Sequence, residues 1–136
     1  MQIFVNLRNL RERTNFQVIK YHAPVNNRII AEVMPDSGLI SGPDDILDLI
    51  VEARSNGSDF LILHKENLHY DFFDLKTGVA GEILQKFSNY RMKLAIIGDF
   101  SAYTSKSLLA FISESNRGGV IRFVASLNEV LSGLNI

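Results

Sequence analysis

Two apolar runs, FLIL at 60–63 and LAII at 94–97, bracket a stretch of helical period. Runs that short and that continuous suit strands covered on both faces. Between them Val79, Ala80, Ile83, Leu84 and Phe87 fall on one stripe of a helix. A strand, an amphipathic helix and a second buried strand make a crossover unit, so the two strands are expected to run parallel in one sheet.

The remaining segments extend that unit. FQVIKY (16–21) and RIIAEV (28–33) are β-branched and partly alternating, and the turn residues of APVNN lie between them. They predict an antiparallel hairpin. Pro43 fits the first position of a helix, with Asp44 and Asp45 in its first turn and Ile46, Leu49, Ile50 and Ala53 at helical spacing. A third helix is predicted over 105–116, with Gly118 or Gly119 as its left-handed cap. VIRFV (120–124) reads as an edge strand, and Leu127, Val130, Leu131 and Leu134 mark a last helix. The expected order is β-β-α-β-α-β-α-β-α: a single α/β domain over 16–136, its sheet mixed but mostly parallel. Residues 1–15 form an N-terminal extension, either a loose end or a docking segment.

Composition limits the function. At 136 residues the chain can bury one real core. A formal net charge of -1 offers no global positive field for nucleic acid or an anionic membrane. With no cysteines there is no disulfide, zinc ribbon or thiol chemistry, which fits a reducing cytoplasm. The apolar runs fall far short of the ~20 residues that cross a bilayer.

In an open α/β sheet, ligands sit at the carboxyl ends of the strands. That rule gathers His64, Lys65 and Glu66 after one strand, Asp99 and Ser101 after the next, and Asp74, Lys76, Thr77 and Gly78 at the helix start between them. It excludes Arg117, which precedes its strand. The connection from His64 to Thr77 is longer than the two to six residues usual for such loops, and it carries Tyr70, Phe72 and Phe73. The aromatics suit either a partner surface or a cover over the end of the sheet.

Gly78 and Gly81 in the first turn of that helix want a reason, since glycine costs about 0.5–1 kcal/mol relative to alanine there. Close packing on a neighbour is one. Anion capture is the other, with unclaimed first-turn N–H groups and Lys76 and Thr77 at the rim. No G-x-x-x-x-G-K spacing is present. His64 and Glu66 suit either an acid/base pair or a solvated strand end. His64, Glu66 and His69 match no metal-ligand spacing, and His22 lies far off beside a turn. Capping explains the serines around the entry to the third helix. No catalytic residue, metal or cofactor is expected.

The run HKENLHYDFFDLKTGVAGEILQKFSNYRMKLAIIGDFSAYTSKSLLAFISESNRG (64–118) closely resembles the bacterial family Domain of Unknown Function 4180, over almost all of 16–134. The resemblance implies a bacterial cytoplasmic protein and brings no activity with it. The element order is also similar to the STAS domain of anti-anti-sigma factors. LKTGVAGEIL stands where that family has DSSGLGVIL, so Gly78 matches the glycine and Thr77 the serine before it. The serine phosphorylated in those proteins falls at Lys76 and the aspartate at Leu75, which leaves Thr77 as the residue to be modified. Two functions follow as expectations. One is a STAS-like regulatory module that binds another protein, or a second copy of itself as a homodimer, around residues 64–78. The other is a binder of a small anionic or phosphate-bearing metabolite at the same helix start, an enzyme included.

Overall fold

The computed structural model describes residues 2–5 and 18–133. One sheet holds six strands in sequence order: β1 (Gln2–Val5), β2 (Val18–Tyr21), β3 (Ile29–Val33), β4 (Ser58–His64), β5 (Lys93–Ile97) and β6 (Ile121–Val124). The pairings from β3 to β6 are parallel, and β1 and β2 are antiparallel to their neighbours. Four helices join or follow the strands: α1 (Pro43–Ser55), α2 (Val79–Asn89), α3 (Lys106–Gly118) and α4 (Leu127–Ser132). The protein is therefore a mixed α/β fold with a mostly parallel sheet. A strand at 2–5 precedes the expected elements, so part of the N-terminal extension belongs to the sheet. The rest of that extension, Phe16 and Gln17 of the expected first strand, and Leu134 lie outside the described residues.

Local chemistry explains most boundaries. Asn26 and Asn27 both take positive φ, 51° and 64°, and Val25 and Arg28 exchange two backbone hydrogen bonds of 2.9 Å. Two left-handed residues make the turn whose twist matches a β-hairpin, and asparagine tolerates that conformation best after glycine. Pro43 opens α1. The Ser105 hydroxyl caps α3 by accepting from the Leu108 N–H, and Gly119 closes it at φ 109°.

The period of two along each strand divides the core. Ala31, Val33, Leu61, Leu63, Leu94 and Ile96 point to the face covered by Ile46 and Ile50 of α1, Ile83 and Phe87 of α2, and Leu108 of α3. The alternate positions Ile30, Phe60, Ile62, Ala95, Ile97 and Val124 point to the opposite face, with Val130 of α4. Right-handed crossovers between strands laid down in one direction place their helices on one side, which accounts for the three-to-one division. Tyr21 ties the hairpin to the end of α1, accepting from Asn56 Nδ2 at 3.2 Å and donating to the Glu52 carbonyl at 3.4 Å. Burial, with Glu52 nearby, pushes its phenol up to about 12.

Candidate functional site

The carboxyl end of β4 turns sharply into three short 3-10 turns, Lys65–Asn67, Tyr70–Phe73 and Leu75–Thr77. Asn67 is fully buried and holds the first of them. Its Oδ1 accepts from the His64 N–H at 2.8 Å, and its Nδ2 donates to the carbonyls of Met34 at 3.1 Å and Gly38 at 3.2 Å. One side chain thus joins the ends of β3 and β4 to the loop before α1. Phe72 and Phe73 fold back into the core, whereas Tyr70 stands 75% exposed.

The start of α2 departs from the expectation of unclaimed amides. The Thr77 N–H donates to the Asp74 carbonyl at 3.0 Å and the Gly78 N–H to the Leu75 carbonyl at 3.3 Å. The Lys76 N–H reaches Asp74 Oδ1 at 3.4 Å, and the Val79 N–H reaches the Thr77 hydroxyl at 3.2 Å. The 3-10 turn leading into the helix has already used these four donors, which leaves only the amides further into the first turn of α2 for an anion to reach without displacing an internal bond. Close packing fails as the reason for the glycines too. A Cβ on either Gly78 or Gly81 would meet nothing within 4 Å. Gly78 is explained by its φ of 80°, a conformation that L side chains rarely adopt. Gly81 has ordinary helical surroundings and open space, so Gly81→Ala is expected to stabilise the fold by roughly 0.5–1 kcal/mol. A urea midpoint that falls instead would show that this glycine has another task.

On the opposite face of the sheet, the carboxyl ends of β4, β5 and β6 border an open cleft of about 510 Å³. Ile97, Phe100, Phe123 and Val124 supply apolar wall, and His64, Glu66, Asp99 and Glu129 the polar lining. Gly98 forms part of the floor. A Cβ there would come within 2.7 Å of the Lys65 Cβ, so glycine is required by space. The Lys65 ammonium donates to the Asp99 carbonyl at 2.9 Å and lies 4.8 Å from the Tyr103 ring centroid. Asp99 Oδ1 accepts from the Ser101 hydroxyl at 2.6 Å and the Ser101 N–H at 3.0 Å. Those two bonds hold the Asp99 carboxyl below its usual range.

Behind the cleft wall lies a group of side chains that the linear pattern did not bring together. Glu32 of β3 is 6% exposed. Its Oε1 is 2.8 Å from His22 Nε2 and its Oε2 is 2.7 Å from His64 Nε2. Burial pushes the Glu32 carboxyl up, but the bonds from His64 and His22 outweigh it and hold the group below the ordinary glutamate value. His22, set aside as remote, is thus joined to His64 through a shared carboxylate. Among the described residues no group of three or more ligating side chains is arranged to hold a metal ion.

The expected site residues therefore separate. His64, Glu66 and Asp99 line the cleft, with Lys65 and Ser101 beside it; Asp74, Lys76, Thr77 and Gly78 sit at the start of α2, on the helix-covered side. The available signal for Glu32 was a lone glutamate in an aliphatic strand. A charge at a covered strand position demands a partner, although the strand alone does not name one. The pattern of the family described as Domain of unknown function (DUF4180) matches residues 25–134. No curated protein matches the chain.

Proposed function

The chain belongs to the Domain of unknown function (DUF4180) family, and on that premise we propose that it is a regulatory binding module with a small-molecule cleft at the carboxyl edge of its sheet. The observation that carries this reading is the cleft itself. Its volume of about 510 Å³ falls in the ~300–1,000 Å³ range of ligand sites. It also occupies the edge where open α/β sheets bind their ligands. The lining selects the ligand class. Three carboxylates, Glu66, Asp99 and Glu129, disfavour an anion, and the aromatic and aliphatic wall favours an apolar body. The fitting ligand carries an amine or another donor-rich group on a hydrophobic frame. A phosphate-bearing metabolite at the α2 start has less support, because four of the amides there, those of residues 76–79, are bonded within the turn.

A thermal-shift panel that contrasts amine-bearing with phosphate-bearing metabolites tests this. A ligand at ~100 times its dissociation constant adds about 2.7 kcal/mol of stability. Amines are expected to stabilise the unmodified chain and to lose most of that effect in Glu66→Gln. A second reading, the STAS-like module that engages a protein through residues 64–78, is favoured by the exposed Tyr70 ring. In that reading a phosphate on Thr77 would remove the hydroxyl hydrogen shared between the Asp71 and Asp74 carbonyls, at 2.7 and 2.8 Å, and so loosen the turn. A flat response across the panel, with a bound partner lost in Tyr70→Ser, would favour it over the cleft.

A further inference from the structure

We infer that His22, Glu32 and His64 take up protons as one coupled unit, a proton-sensitive device that spans β2, β3 and β4 and reaches the cleft wall at His64. Each imidazole holds a different oxygen of one carboxylate, at 2.8 and 2.7 Å, so a proton added to one ring is felt by the other through the same charge. With both rings neutral the trio carries one buried negative charge. A first added proton neutralises it and a second makes it positive. Away from water the first step is favoured and the second opposed, so the two rings cannot titrate independently.

The surroundings reinforce the first step. Lys20 of β2 stands directly opposite Glu32 in the antiparallel register. Glu66 after β4, Asp99 after β5 and Glu129 of α4 share the cleft lining with His64. Three carboxylates against two ammoniums, Lys20 and the Lys65 that donates to the Asp99 carbonyl, still favour a proton on the trio. Its arrival removes a negative charge directly behind the cleft wall, so the field inside the cleft follows the state of a ring pair anchored in the hairpin.

The experiment is an NMR titration of the histidine ring protons in the full chain, from about pH 8 to about pH 5. The chain has three histidines, and His69, bonded to Asp71 outside the trio, serves as the single-site reference. His22 and His64 are expected to move in two steps with shared midpoints, and His69 in one. In His64→Gln the His22 curve is expected to become a single step. In Glu32→Gln both rings are expected to titrate in single steps, since the shared charge is gone. Independent single-step curves for His22 and His64 in the unmodified chain overturn the coupling, as does a His22 curve unmoved by His64→Gln. The first two titrations decide the matter if Glu32→Gln does not fold. No ligand enters the measurement, so its outcome is separate from the fate of the cleft reading.

Discussion

Asn67→Ala is expected to lower stability by about 3 kcal/mol or more, reducing the ratio of folded to unfolded chains more than a hundredfold. Asn67 is fully buried, and its side chain makes three hydrogen bonds. Truncation strands the His64 N–H and takes the Asn67 donor from the Gly38 carbonyl, while the Met34 carbonyl keeps the bonds it accepts from the Ser37 N–H and hydroxyl. Each such group costs about 1–3 kcal/mol, and a small cavity adds to the total. The backbone bond from the Ile40 N–H to the Asn67 carbonyl survives the change, so the loop keeps one anchor. Urea unfolding followed by circular dichroism gives the loss directly. Asn89→Ala is the control: its side chain pairs with Gln85 on the exposed face of α2, where substitutions usually stay within about 0.5 kcal/mol. Equal, small losses for the two variants would refute the role given to Asn67.

Periodicity carried the sequence reading wherever one element decides the outcome. Ile46, Leu49, Ile50 and Ala53 are all buried, as their spacing requires. FLIL and LAII are strands covered on both faces because their neighbours on either side are hydrophobic layers. Asn67 was legible only as a residue after a strand. Its importance comes from Met34 and Gly38, about 30 positions away, and from a turn tight enough to aim its amide at both. The trio is harder still. His22, Glu32 and His64 meet because β2 pairs with β3 and β3 with β4 in one particular register. A slip of one residue would send Glu32 to the other face. The helix start was legible only in part for a related reason. Glycines beside a lysine and a threonine resemble an anion cradle, but the preceding 3-10 turn bends the chain so that Thr77 and its neighbours bond one another.

Glu32→Ala is the second large effect, expected to cost about 2–6 kcal/mol, because removing the shared acceptor strands the two donors bonded to it at about 1–3 kcal/mol each. Here the partners are two imidazole N–H groups that reach no other acceptor among the bonds described for His22 and His64. Glu32→Gln keeps the shape and one acceptor oxygen, so its loss is smaller, and it isolates the charge. The sign of its pH dependence follows from the depressed carboxyl. In the unfolded chain a glutamate titrates near ~4.3, and in the folded chain Glu32 does so lower, the bonds from His64 and His22 outweighing burial. Its stabilising contribution is therefore complete above the unfolded value and disappears as the pH falls through the folded one. Urea midpoints for the unmodified chain and Glu32→Gln should differ most above about pH 5 and converge in more acid solution. A gap that stays constant across that window would mean that the carboxylate charge between the two histidines does not stabilise the fold.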